Sequence, residues 1–254
     1  MEDNPKIMGV RIDSTKQFNG EEKIKEFLNS SGQKTIFTPN PEMIVDAQKD
    51  DKFKQILNSS SLNICDGKGI EMFSRGRLKR ITGVDFLLEI AKIAEDLGKS
   101  IYLLGSGDDD VLQKTVLELK KSFPNLKIVG VNIGPKIKRL KDYKIEIDSE
   151  INDKILDDII LTAPDILFVA FGHIKQEKWI NQFLTDLPSV KIAMGVGGSF
   201  DFISGKIKRA PNWVRRFGIE WLWRLAKQPR RILRIFKAIF LFTFLVLKND
   251  ICKK

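Results

Sequence analysis

The sequence predicts an α/β fold: a Rossmann-like, mostly parallel sheet with helices on both faces, followed by a C-terminal basic amphipathic helical appendage. Three observations carry this reading. Short β-branched or aromatic runs alternate with stretches of helical periodicity. The runs are almost continuously apolar, as strands buried on both faces must be. Positive charge is gathered at one end: residues 206–254 hold 14 Lys or Arg against only Glu220 and Asp250, while the whole chain is +10. Residues 1–205 are therefore slightly acidic, and the 254 residues divide into an α/β domain (1–205) and an appendage (206–254).

Expected strands are 7–12, 34–38, 62–65, 100–105, 127–131, 166–172 and 191–196. Helical spacing of apolar residues covers 85–97, 111–122, 147–161 and 176–184. The first residues are acidic and lack an apolar core segment, so no signal peptide is expected. Two cysteines, Cys65 and Cys252, exclude a disulfide framework and fit a reducing compartment. A single histidine, His173, leaves little room for a His-based metal centre or a Ser-His-Asp triad.

In an open parallel sheet ligands bind beyond the carboxyl ends of the strands, so the residues just after each strand matter most. After the second strand comes Thr38-Pro39-Asn40-Pro41-Glu42, in which Asn40 and Pro41 form a helix start and Thr38 offers a hydroxyl. After the third stands Asp66-Gly67-Lys68-Gly69, where Asp66 is either a turn aspartate or a general base facing a ligand. Gly105-Ser106-Gly107 precedes Asp108, Asp109 and Asp110; these acids read better as a first helical turn than as a metal-binding D-x-D pair. Gly172-His173-Ile174-Lys175-Gln176-Glu177 opens a helix, with Lys175 placed to meet a phosphate. Gly195-Val196-Gly197-Gly198 lacks the spacing of a dinucleotide fingerprint, which would in any case belong after the first strand, where Asp13 stands.

In the appendage, Arg224, Lys227, Arg230, Arg231, Arg234 and Lys237 fall on one side of a helix. Leu222, Leu225, Ile232, Leu233, Phe236 and Phe240 fall on the other, with Pro229 able to kink the segment. From 238 to 247 only Thr243 is not apolar, and ten residues at ~1.5 Å each cover about half of a bilayer core. The segment thus suits the plane of an anionic membrane rather than a span. Alternatives are a helix packed on the body or one that binds nucleic acid.

Taken together and in order, these motifs are more specific than any one of them. Thr38-Pro-Asn-Pro-Glu, Asp66-Gly-x-Gly, Arg80-Ile-Thr-Gly-Val-Asp85, Gly172-x-x-Lys-Gln-Glu177, Gly197-Gly-Ser-Phe-Asp201, Arg209-Ala-Pro-x-Trp213, Glu220-Trp-Leu-Trp-Arg224 and Pro229-Arg-Arg231 run across nearly the whole chain. Their succession resembles the WecG/TagA/CpsF family of bacterial glycosyltransferases. The resemblance implies an inverting, metal-independent transfer of N-acetylmannosamine from UDP-N-acetylmannosamine to undecaprenyl-diphosphate-linked N-acetylglucosamine, in wall teichoic acid synthesis. It further implies an enzyme peripheral on the inner face of the bacterial plasma membrane, with no cofactor. By the same resemblance Asp66 is the general base, Thr38, Asn40 and Gln176 line the sugar pocket, and Arg80, Arg224 and Arg231 meet diphosphates. Other donors, a mannosaminuronic acid or a hexose, are alternatives within the family; a non-catalytic binding module is the alternative outside it. Exposed apolar surface on the appendage gives it a means of self-association away from membranes. One departure stands out: His173-Ile174 replaces the family's usual small residue and proline before Lys-Gln-Glu.

Overall fold

The computed structural model describes residues 4–14, 19–211, 214, 222, 223 and 232–251. The chain opens with a small antiparallel hairpin, β1 (Lys6–Ile7) and β2 (Val10–Arg11). This corrects the single strand expected over 7–12. Met8 and Gly9 both have positive φ (50° and 80°), the geometry of a tight two-residue hairpin turn, which the sequence lacks the usual Asn-Gly to announce.

The central sheet has six strands: β3 (Lys34–Phe37), β4 (Leu62–Asn63), β5 (Ser100–Gly105), β6 (Lys127–Asn132), β9 (Ile166–Ala170) and β10 (Ile192–Gly195). Their spatial order is β4-β3-β10-β9-β5-β6 and every pairing is parallel. The chain winds outward from β3 to β4, crosses to β5 and β6 at the far edge, then fills the middle with β9 and β10. Winding therefore reverses near the centre, where a crevice opens at the carboxyl ends of the strands.

Side chains alternate along each strand and divide the core in two. Ile36, Leu103, Phe168 and Met194 face one layer, made by α1 (Gly20–Asn29), α5 (Gly83–Asp96), α6 (Asp109–Ser122) and α9 (Ser199–Ile203). Phe37, Tyr102, Leu104 and Val169 face the other, made by α2 (Pro41–Ala47), α3 (Asp51–Ser59), α4 (Lys68–Phe73), α7 (Ser149–Thr162) and α8 (Lys175–Phe183). Polar side chains start these helices: Asn19, Asn40, Asp50, Thr82, Asp108 and Asp148 each accept a hydrogen bond from a first-turn amide. A second hairpin, β7 (Ile137–Arg139) and β8 (Ile145–Ile147), lies between β6 and α7, so the helix expected from residue 147 begins at Ser149.

The C-terminal segment is helical through α10 (Ile232–Phe236), a π-helical turn (Lys237–Leu241) and α11 (Phe242–Ile251). Phe242 and Val246 are buried in the core layer that holds α2 and α4, and Phe242 meets the Phe73 ring edge-on at 5.8 Å. Ile232, Phe236, Phe240, Phe244 and Leu247 are exposed. No helix among the described residues is long and apolar enough to cross a membrane.

Gly105 closes β5 at φ +115°, and a Cβ there would sit 2.7 Å from the Ala170 backbone on the neighbouring strand. Gly105→Ala is expected to cost about 2 kcal/mol or more in urea unfolding, because both backbone strain and a main-chain clash oppose it.

Candidate active site

Asp66 stands three residues beyond β4, held by a hydrogen bond from its amide to the Pro39 carbonyl (3.1 Å). Gly67 is required beside it: a Cβ would lie 2.6 Å from Pro41 Cδ, so the Asp66 loop and the start of α2 can close only over a hydrogen. Thr38 is buried at the end of β3. The two side chains converge on the first turn of α5, where a Cβ built on Gly83 would be 3.4 Å from Thr38 Oγ1 and 3.8 Å from Asp66 Oδ2. A carboxylate, a hydroxyl and a helix start thus meet around one small space. Asn40 is adjacent, its side-chain oxygen accepting from Met43 N (3.0 Å).

Arg80 approaches the other carboxylate oxygen of Asp66, with Nε 4.0 Å from Oδ1. Its backbone amide donates to Glu71 Oε1 (3.0 Å), and Glu71 also pairs with Lys68. Burial works to raise the Glu71 pKa, but the Lys68 and Arg80 hydrogen bonds and charges outweigh it and hold the carboxyl below its ordinary value. Lys68, Glu71 and Arg80 line a cleft of about 450 Å³ with Lys79, Ile81, Thr82 and Asp85. Arg209 reaches its rim, bonding Asp85 Oδ1 (2.8 Å) and Thr82 Oγ1 (3.3 Å). Lys68, Lys79 and Arg209 were not among the site residues expected from sequence. Lysine in a loop reads as solvated charge until the fold gathers several around one cleft.

Gln176 is buried and braces the turn after β10. Its Oε1 accepts from Gly197 N (2.9 Å) and its Nε2 donates to Glu177 Oε1 (2.7 Å). Gly195 has no room for a Cβ, which would fall 2.7 Å from Gln176 Nε2. Gln176 therefore fixes the course of the chain just after β10. Asp108 caps α6 and pairs with Lys206 (2.6 Å), while Asp110 pairs with Lys114 (2.7 Å), as acids of a first helical turn do. Cys65, next to Asp66, is fully buried, and burial pushes its thiol up to about 12. Arg224 and Arg231 lie outside the described residues.

Ile174 adopts φ +71° in the loop before α8, a conformation that no proline can take. A β-branched residue is strained there, and burial of its side chain helps to offset the strain. The loop carries His173 to α2: its Nε2 is 3.2 Å from Asp46 Oδ2 and 3.6 Å from Glu42 Oε1. Ligand atoms of these three lie within 4.8 Å of one another, a spacing a cation can bridge, but Lys237 Nζ already bonds Asp46 Oδ1. Arg139 stands 3.8 Å from the same oxygen. Asp46 thus joins α2, the His173 loop, the β7–β8 hairpin and the C-terminal helix.

A carboxylate and hydroxyl beside a cation-lined cleft, at the strand ends of an open parallel sheet, suit a transferase acting on a phosphate-bearing substrate. The chain belongs to the WecG/TagA/CpsF family of glycosyl transferases, whose family model matches residues 5–254. It is 34% identical over 236 residues to the Bacillus subtilis (strain 168) protein named N-acetylglucosaminyldiphosphoundecaprenol N-acetyl-beta-D-mannosaminyltransferase, covering 91% of this chain and 85% of the relative. Relatives of the same name from Bacillus spizizenii (31%, covering 88% of this chain and 82% of the relative) and Staphylococcus aureus strain MW2 (31%, covering 95% and 91%) are similar over comparable spans. The chain is accordingly a glycosyltransferase.

Glu177, in the same motif as Gln176, is fully buried, and that burial raises its carboxyl above the ordinary 4.5. The folded state therefore keeps a proton that the unfolded state releases, and stability falls as pH rises above 4.5. Glu177→Gln should flatten this slope, read as thermal midpoints collected from pH 5 to pH 8.

Proposed function

We propose that this enzyme transfers N-acetylmannosamine from UDP-N-acetylmannosamine to undecaprenyl-diphosphate-linked N-acetylglucosamine, forming the linkage unit of wall teichoic acid. The names of its relatives support the acceptor and the sugar. The observation in the structure that supports the chemistry best is the convergence of Asp66 Oδ2 and Thr38 Oγ1 at the start of α5, beside Lys68, Lys79 and Arg80.

The reaction is read as a single in-line displacement with inversion at the anomeric carbon. Asp66 takes the proton from the attacking acceptor hydroxyl. Thr38 and Asn40 orient the sugars, and Gln176 holds the glycine turn that floors the pocket. The departing UDP gains one negative charge on its leaving oxygen, and arginines can meet its diphosphate through paired, charge-assisted hydrogen bonds without a divalent metal. Arg80, which lines the cleft, is assigned this role together with Arg224 and Arg231, on the resemblance of their motifs to the family.

A lipid-linked acceptor confines the reaction to a membrane surface, and the enzyme is read as peripheral on the inner face of the plasma membrane. Phe236, Phe240 and Phe244, each about 60% exposed and four residues apart, form the apolar face that would enter the interface.

Asp66→Asn is expected to retain UDP-N-acetylmannosamine binding while turnover falls about 100-fold or more. Calorimetry with single-turnover assays checks this, and near-normal turnover rejects Asp66 as base. Among UDP-sugars offered with a short-chain acceptor, UDP-N-acetylmannosamine should be used best, as mass spectrometry of the product will tell. Replacing Phe236, Phe240 and Phe244 by Ser together should weaken vesicle binding at least tenfold or so in sedimentation assays.

A further inference from the structure

The β7–β8 hairpin has no part in the chemistry above, yet it is built with care. Residues 136–147 hold Lys136, Lys138, Arg139, Lys141 and Lys144 against two acids, Asp142 and Glu146, on a body that is slightly acidic as a whole. Leu140 at the tip is 41% exposed. The tip is closed by Leu140 N donating to Lys144 O (2.9 Å) and Tyr143 N to Leu140 O (3.1 Å), with Tyr143 at φ +64°.

This tip is mounted rigidly. Ile137, Ile145 and Ile147 pack on the core. Lys178, buried in α8, donates to the Tyr143 carbonyl and pairs with the buried Asp50 carboxylate. Lys175 donates to the Ile137 carbonyl (3.4 Å). Arg139 lies over the Tyr143 ring (5.1 Å) and reaches Asp46, the same carboxylate that Lys237 of the C-terminal helix bonds. The hairpin and the helix therefore stand side by side, one basic and the other lined with exposed phenylalanine.

We propose that the β7–β8 hairpin is a second membrane-contact element, pressing Lys138, Lys141, Lys144 and Leu140 onto an anionic bilayer next to the C-terminal helix. The inference rests on the membrane reading made above. An extended surface fits better than a substrate diphosphate. Asp46 is six residues, about 9 Å, along α2 from Asn40, and the cations are strung around a turn rather than focused on one point. Polybasic segments draw affinity from anionic headgroups, and a flanking leucine adds apolar contact. Two contacts also fix orientation, which a single helix lying in the interface leaves free to roll.

The full-length protein carrying Lys138→Gln, Lys141→Gln and Lys144→Gln should bind phosphatidylglycerol vesicles about 100-fold more weakly than the parent, with a shallower salt dependence. Weak binding to phosphatidylcholine vesicles should not change. A fluorophore on Leu140→Cys, in a Cys252→Ser background, should shift to the blue when phosphatidylglycerol vesicles are added. Binding within twofold of the parent, while the triple phenylalanine variant loses it, would overturn the hairpin and leave the helix as sole anchor. A parent that binds neither vesicle would overturn both readings. A Gln variant that loses affinity for RNA but keeps it for vesicles would reassign the hairpin to nucleic acid, and an unshifted fluorophore would overturn its contact with the bilayer.

Discussion

Parallel pairing constrains everything else in this molecule. Each of the six strands must be followed by a crossover before the next can enter alongside it, so both faces of the sheet are covered and all carboxyl ends open toward one edge. Because the chain winds outward to β4 and to β6 before returning to the middle, the crossovers part near β3, β10 and β9. Thr38, Asp66 and the Gly195–Gly197 turn come from strands that are far apart in sequence and neighbours in this crevice. Small side chains then decide how closely the loops can draw in. Gly67 under Pro41 and Gly195 under Gln176 mark two such close approaches.

The C-terminal helix divides its apolar residues between two environments. Phe242 and Val246 fill the core layer beside α2 and α4, while the phenylalanines on the far side remain in contact with solvent. Lys237 adds a charge contact at Asp46, whose buried carboxyl must be matched by cations to stay ionised. Desolvation raises its pKa, but hydrogen bonds from His173 and Lys237 more than reverse this and leave it lowered. Gripping the body on one side and presenting hydrocarbon on the other is what an enzyme needs if its substrate cannot leave the lipid phase.

Legibility from sequence followed the strength of the physical signal. Strands such as 100–105 and 166–172 stand out because a strand buried on both faces tolerates almost no polar residue, and β5 and β9 fall within those spans. The β1–β2 hairpin was hidden because Met8 stands where Asn or Asp usually precedes the turn glycine, and residues 7–12, largely apolar around Gly9 and Arg11, read as one strand. The β7–β8 hairpin was hidden by its charge. At the site, Asp66 and Thr38 were legible because strand ends are where such residues do work. Lys68, Lys79 and Arg209 were not, since only the fold brings α4, the loop before α5 and the segment after α9 to one cleft. His173 looked idle in the sequence, and its contact with Asp46 depends on a left-handed Ile174 that no local pattern foretells.

The π-helical turn at Lys237–Leu241 has a consequence for how the C-terminal helix came to have two faces. On an α-helix a spacing of four drifts about 40° around the axis at each step, so a row such as Phe236, Phe240 and Phe244 would wander off its side. The wider turn takes that drift back and keeps the row straight. Such a turn holds one residue more than the α-helical turn it replaces. It could give up that residue by relaxing to plain α-helix, whereas a residue lost from the α-helix before it would rotate everything beyond by about 100°, swinging Phe242 out of the core. Length, as much as composition, is therefore under constraint in this segment, and a gap outside that turn would be harder to tolerate than most substitutions.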